Sequence, residues 1–316
     1  MTDDGGEDVQ YAVDAQSDGM LLRDYLMRTL GLSHRLLTRL KQTQDGILLD
    51  GRPVTVRAVL HQGDLLTLAL EDTPDTPRGT ILPSTTWPDI LYEDSDILVC
   101  NKPGGMATHP SHGHFDDTLA NAVAYYELTT AGRTVPFRSV NRLDRDTSGV
   151  VLLARNQLAA ARLSAAMREG RIQKSYLALL EGTPPAPFGD ITLPIRRAQE
   201  SIITREVCQH DAIGAHTAHT RYRVIASWQA GKHTRTLVRA WALTGRTHQL
   251  RVHFSHLGAS IAGDTLYGKR YEDVPSPARQ ALHAYSLSFP HPTTSKVMTV
   301  IAPLAHDLRA FLPDDT

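Results

Sequence analysis

Residues 141–156 read NRLDRDTSGVVLLARN, a charged, hydroxyl-rich turn that runs straight into an apolar segment. Val150, Val151, Leu152, Leu153 and Ala154 form that segment, with Gly149 before it and Arg155 and Asn156 after it. A short apolar run between turn residues predicts a strand covered on both faces. Of the nine turn positions 141–149, five carry a charge or an amide. Such polar groups at the mouth of a buried strand are costly unless paired or used. A rigid strand that aims a carboxylate is one use; a salt-bridged surface turn fits the same spacing equally well.

Working outward, the 316 residues suggest about two domains. A net charge of −1 does not advertise a nucleic-acid binder, but the charge is uneven. Six acids and no base occupy the first eighteen residues, which predicts an acidic, disordered end over 1–17. Cys100 and Cys208 are too far apart for a metal or disulfide pattern. No apolar run has membrane-spanning length and no leader pattern is present, so a soluble cytoplasmic protein is expected.

Residues 18–71 read as a small α/β module. Leu22, Leu26 and Met27 share a helical face, Gly31 breaks it, and Ser33 can cap a second helix carrying Leu36, Leu37 and Leu40. That helix would expose His34, Arg35, Arg39 and Lys41. Short strands follow, with a turn at Asp50-Gly51. Arg35 and Arg39 suit RNA contact, although ordinary solvated charges read the same way. Residues 72–86, rich in proline and threonine, read as a linker on which the module could drift. The second domain spans 87–316.

In that domain the pattern predicts strands near 89–93 and 97–100, a turn or close backbone approach at Gly104-Gly105, and helices over 118–126 and 157–170. A strand follows at 172–178, then a loop-rich region with a hairpin over 183–220 and two antiparallel strands at 219–228 and 233–243. In LTGRTHQLRVHFSHLG (243–258), Thr247 can cap a helix bearing Leu250, Phe254 and Leu257. His109, His112 and His114, and again His248, His253 and His256, lack the additional ligands a metal site needs, so no metal is expected. A late strand (281–292) and a final helix near 305–311 complete the chain. The chemical inventory is one acid on a rigid turn (Asp144), one phenol on a strand (Tyr176) and one base at a helix entrance (Arg246). There is no nucleophile elbow and no phosphate loop, which suits acid–base or carboxylate chemistry without a cofactor.

The ordered set NRLDRDTSGVVLLARN, VCNKPGGMATHP (99–110), TLANAV (118–123), KSYLALLEG (174–182), LTGRTHQLRVH (243–253), AGDTLYG (262–268) and ALHAYSLSFPHP (281–292) resembles the RluA-type pseudouridine synthase family over residues 18–312. Asn141 departs from the histidine common there. Residues 20–70 resemble the small RNA-binding domain of ribosomal protein S-four. The resemblance implies an α+β fold with a mixed, mostly antiparallel central sheet and flanking helices. It implies isomerisation of uridine to pseudouridine in structured RNA, with large-subunit ribosomal RNA the leading substrate, no cofactor and a monomeric enzyme. It further implies Asp144 as the essential carboxylate, Tyr176 stacked on the target base, Arg246 paired with Asp144, Arg142 in the gap left by a flipped nucleotide, and Leu250 in the apolar wall. A transfer-RNA-specific synthase and a noncatalytic RNA-binding or assembly factor are the alternatives; paired carboxylates Asp144 and Asp146 of an N-glycosidase are disfavoured by their adjacency on one turn.

Overall fold

A computed structural model of the chain describes residues 9–32, 34–70, 81–111, 113–132 and 135–313. The N-terminal part forms a four-stranded antiparallel sheet of β1 (Val9–Ala12), β2 (Ile47–Leu49), β3 (Arg52–Pro53) and β4 (Leu65–Leu68), in the order β1-β4-β2-β3. Against it pack α1 (Leu22–Asp24), which continues as a π turn over Tyr25–Thr29, and α2 (His34–Gln42). Leu22, Leu26, Leu36, Leu37, Leu40, Leu66 and Leu68 share one buried cluster, the periodicity expected of amphipathic elements. Gly31 takes a positive φ, and the Leu32 N–H donates to the Leu26 carbonyl at 2.9 Å, closing the helix end. Asp50 and Gly51 both have positive φ, as a two-residue hairpin turn requires.

Two expectations are corrected here. Residues 9–12 do not hang free in an acidic tail: β1 pairs with β4 in register Val9↔Leu68 to Ala12↔Leu65, and Val13 is buried in the cluster. The acids around this apolar segment disguise a strand. Nor does the N-terminal unit stand apart from the rest. Leu158 belongs to its buried cluster, and the Arg162 guanidinium donates to the carbonyls of Leu30 at 3.3 Å and Pro292 at 2.9 Å, tying the two parts together.

The larger part is built on a ten-stranded sheet of β5 (Ile90–Glu93), β6 (Ile97–Lys102), β7 (Ser148–Ala154), β8 (Gln173–Glu181), β9 (Phe188–Ile191), β12 (Thr220–Ala230), β13 (His233–Ala242), β14 (Ser260–Ile261), β15 (Leu282–Pro290) and β16 (Val297–Ile301). Between β9 and β12 a separate hairpin forms from β10 (Ile195–Arg197) and β11 (Arg205–Val207). The main path runs β5-β6-β7-β15-β8-β13-β12-β9, with β14 beside β8 and β16 beside β15. Every pairing is antiparallel except β7 with β15, which meet in parallel at His283↔Ser148 and Ala284↔Gly149. The fold is thus α+β with a mixed, mostly antiparallel sheet.

Strand β7 is buried on both faces. Val151 and Leu153 join the cluster that holds α3 (Leu119–Ala131) and α5 (Gln249–His256); Val150, Leu152 and Ala154 join the one that holds α4 (Gln157–Arg168). Each such aliphatic burial contributes about 1.5–3 kcal/mol. Capping follows residue type: Thr118 and Asn121 form a reciprocal cap on α3, and Asn156 caps α4. A short α6 (His306–Arg309) ends the described chain. Gly149 sits at the parallel crossing with φ +112°, and a Cβ there would lie 2.2 Å from the Ala284 carbonyl oxygen, so no larger residue fits. Among the described residues no helix is long and apolar enough to cross a membrane.

Candidate active site

The turn before β7 is held from several sides. The Asn141 side chain acts as a surrogate strand: its Nδ2 donates to the Val150 carbonyl at 3.1 Å and its Oδ1 accepts the Leu152 N–H at 2.8 Å. The Thr108 hydroxyl donates to the Leu143 carbonyl at 2.9 Å. Lys102, fully buried, donates from Nζ to the carbonyls of Pro103, Met106 and Arg145 at 2.8, 2.6 and 2.8 Å. Burial, then the charge of Arg279, pulls the Lys102 pKa down to about 7, against the opposing charges of Asp146 and Asp144. Arg279 itself donates to the Asp146 carbonyl at 2.7 Å and the Ser148 hydroxyl at 3.0 Å, anchored by both oxygens of Asp307. It passes directly beneath Gly104, where a Cβ would lie 2.2 Å from its Nε. The glycine pair therefore serves both purposes: Gly104 allows the close approach, and Gly105 turns the chain at φ +83°.

Asp144 projects from this pinned turn into a cleft of about 1150 Å3. Its Oδ2 accepts from Arg251 Nη1 at 3.2 Å and lies 3.9 Å from His248 Nε2. Arg251 is held in turn by Asp264, with Nε to Oδ2 at 2.7 Å and Nη2 to Oδ1 at 2.9 Å. Asp264 also accepts the Leu266 and Tyr267 N–H groups, and the Tyr267 ring lies 5.1 Å from the guanidinium carbon. Against the effect of burial, Asp264 and Asp144 hold the Arg251 pKa above its usual value, and Arg251 with the Leu266 and Tyr267 N–H groups holds that of Asp264 below its own. The Arg205 N–H donates to the Tyr267 oxygen at 2.7 Å, which leaves the phenol proton for His248 Nδ1 at 2.8 Å. His248 then carries its own proton on Nε2, toward Asp144. Burial lowers the His248 pKa, and Asp144 opposes it. Tyr176 lines the same cleft; burial first, then the negative charge of Asp144, raises its phenol pKa.

The structure redistributes the expected roles. Tyr176, Arg142 and Leu250 line the cleft with Asp144. Leu250 is buried in the core cluster and Arg142 is exposed at the rim. The expected Arg246–Asp144 pair is absent. Arg246 lines the cleft, but its Nε donates to the Thr217 carbonyl at 2.9 Å; Arg251 occupies the position beside the carboxylate. The reason lies at the helix entrance. Thr247 does not cap α5: the helix starts at Gln249 after His248 in a left-handed conformation, φ +58°. The Gln249 side chain reaches back to accept the Arg246 N–H at 3.0 Å. This turn swings Arg246 outward, and the next turn of helix delivers Arg251. Arg251, Asp264, Tyr267, Lys102 and Arg279 were not singled out by sequence, although all but Arg279 fall within the quoted motifs, and His248 was weighed only as a metal ligand. Asp146 is engaged by Arg145 at 3.1 Å. Arg39 lies half-buried on α2; Arg35 is on the same helix, but its side chain, like Ser33 and His112, is outside the described residues.

His253 is a satisfied core group, donating to the Leu193 carbonyl and accepting from the Thr220 hydroxyl at 2.9 Å each. Asp94, Asp96 and His291 bring ligand atoms within 4.8 Å of one another, but they are mutually engaged: His291 Nε2 donates to Asp94 at 3.0 Å and Thr293 donates to Asp96. Among the described residues, the charged side chains lining the cleft are Arg142, Arg145, Arg168, Lys174, Arg246 and Arg251, against the single carboxylate of Asp144. The near-neutral whole thus conceals a concave, cationic surface suited to a polyanion.

Comparison with known proteins agrees with this geometry. Residues 96–256 match the family model for RNA pseudouridylate synthase. The chain is 38% identical over 280 residues to an RNA pseudouridine synthase of Bacillus subtilis, YjbO, covering 88% of this chain and 94% of that protein. It is 35% identical over 277 residues to the ribosomal large subunit pseudouridine synthase D of Pseudomonas aeruginosa, covering 84% and 82%. The solved structure of human RNA pseudouridylate synthase domain containing 1 superposes with a TM-score of 0.56 at 30% identity, covering 72% of this chain and 86% of that one. The chain accordingly belongs to the RNA pseudouridylate synthase family, and is an isomerase of that kind.

Proposed function

We propose that this enzyme converts uridine to pseudouridine in structured ribosomal RNA of the large subunit, with Asp144 as the catalytic carboxylate. The observation that carries this reading is the position of Asp144, among the described residues the lone acid in a cleft lined by six cationic side chains and a buried tyrosine. The net reaction breaks the N1–C1′ bond and joins C1′ to C5 of the same base, so C5 gives up a proton and N1 gains one. Both carbon centres must be free of stacking, which requires the nucleotide to leave its helix or loop. Arg142 at the rim fills the space it vacates, Tyr176 stacks on the base, and Leu250 adds apolar wall. Arg251, oriented by Asp264, holds Asp144 toward the sugar.

The ribosomal assignment is supported by the name of the Pseudomonas aeruginosa relative and by the N-terminal unit, residues 18–71, which we read as an S-four-like RNA-binding module. The test is pseudouridine mapping of total RNA from cells with and without the protein, and with Asp144→Ala. One or more large-subunit sites should vanish in both the deletion and the variant, with RNA affinity and Tm retained by the variant. Loss at transfer-RNA sites instead would reassign the substrate. Turnover by Asp144→Ala within a few-fold of wild type would remove Asp144 from the chemistry.

A further inference from the structure

A second cavity, of about 450 Å3, lies beside the cleft behind Gly245, Arg246 and Thr247, which line both. The β10–β11 hairpin contributes Arg196, Arg197 and Arg205 to it, and His216 completes the basic lining. Arg197 and Arg205 stand directly opposite each other in the antiparallel register. Like charges at such positions repel and weaken a two-stranded ribbon. The neighbouring pair shows the ordinary solution: Arg196 faces Glu206 and donates to it at 2.7 Å. Arg197, Arg205 and Arg246 have no carboxylate within ion-pair distance among the described residues. Carbonyls orient two of them without neutralising them: Ile203 and Thr204 accept from Arg205 at 3.1 and 3.0 Å, and Thr217 accepts from Arg246 at 2.9 Å.

The hairpin is mounted firmly. Ile195 and Val207 pack with Val252 of α5 and with Tyr267, and the Arg205 N–H is bonded to the Tyr267 oxygen, which in turn contacts His248 beside Asp144. Whatever occupies the cavity is therefore held at a set position relative to the catalytic carboxylate. A concave site with three uncompensated guanidinium groups, adjoining a cleft for a nucleotide, matches a phosphodiester in charge and in hydrogen-bonding capacity.

We propose that this cavity binds a backbone phosphate of the RNA next to the nucleotide in the cleft, with Arg197, Arg205 and Arg246 as its ligands. The assignment rests on RNA being the substrate, as proposed above, and names where its backbone is gripped.

The test is filter binding of a labelled uridine-containing stem-loop RNA from 50 to 200 mM KCl, comparing wild type with Arg197→Gln/Arg205→Gln and with Arg197→Lys/Arg205→Lys. Each lost phosphate contact removes about 0.7–0.9 from the slope of log affinity against log salt. With a single phosphate in the cavity, the Gln pair should therefore lose about 0.7–0.9 of slope, so that its affinity falls roughly 2.6- to 3.5-fold less than wild type across that range. The Lys pair should retain the wild-type slope. Arg197→Gln alone, at an exposed side chain, should lose about half as much, and it serves if the double variant unfolds. An unchanged slope in both Gln variants overturns the proposal. So does tight binding of inorganic phosphate by wild type with the RNA slope unaltered by the variants, which would assign the cavity to free phosphate. Binding is read without turnover: a charge-dependent slope in a protein that makes no pseudouridine leaves the cavity assigned and removes the enzymatic reading, whereas an unchanged slope in an active enzyme removes the cavity alone.

Discussion

Replacing Arg251 separates its two tasks. The side chain is buried and shared between Asp264, whose side chain is fully buried, and Asp144. Arg251→Met alone leaves Asp264 as a buried charge without its cation, which costs about 3–5 kcal/mol and lowers Tm by roughly 6–20 °C. Loss of activity in that variant would say little. Adding Asp264→Asn removes the stranded charge while its amide oxygen still accepts the N–H groups of Leu266 and Tyr267. Stability should then return to within about 2 kcal/mol of wild type, measured by urea unfolding. Catalysis should not return, because Asp144 still lacks the hydrogen bond seen at 3.2 Å. A hydrogen bond to a charged group is worth about 1.5–3 kcal/mol, so kcat on saturating RNA should fall about 10- to 150-fold. Arg246→Gln should show its loss in KM instead, largest at low salt and shrinking as salt rises. A folded double variant whose kcat lies within threefold of wild type would refute the role given to Arg251.

Gly149→Ala combines a φ that disfavours side chains with a clash against the β15 backbone; the loss should be about 3–6 kcal/mol, against about 1–2 kcal/mol for Gly170→Ala, also left-handed but open to space, both read from urea midpoints. Buried His283 donates to the Ala302 carbonyl and accepts from Ser148, and burial pushes its pKa down to about 4. The unfolded chain therefore takes up a proton that the folded one refuses, and stability should fall by about 3 kcal/mol as pH drops from about 6.5 to 4; His283→Gln should flatten that part of the stability profile. Lys102→Met leaves three carbonyls without their donor and should cost several kcal/mol, visible as a lowered Tm together with reduced kcat.

What could be read in the sequence follows from how local each cause is. The β7 run, the helices opening near 118 and 157 and the leucine spacing of α2 are set by neighbours in the chain, and the structure keeps them. The parallel junction of β7 with β15 spans two residue pairs, too few to leave a pattern. Arg246 and Arg251 lie in one motif, and choosing between them needed the left-handed turn at His248, which no propensity for histidine announces. Strand β1 was hidden because a count of acids outweighed the apolar residues between them. Tyr176, by contrast, sits on a strand whose alternation was plain, and its side chain lines the cleft.

The fastening of the turn that carries Asp144 has a consequence for the energetics of turnover. Asn141, Lys102, Thr108 and Arg279 hold that turn through hydrogen bonds made within the protein itself. The conformational entropy of ordering its backbone, about 1–2 kcal/mol per residue, is thus surrendered once, when the chain folds, and is not demanded again each time RNA arrives. Ordering during binding falls to the RNA, whose nucleotide must leave its stack. An activation entropy that varies from one RNA to another, on an unchanging protein, would be the thermodynamic mark of that division.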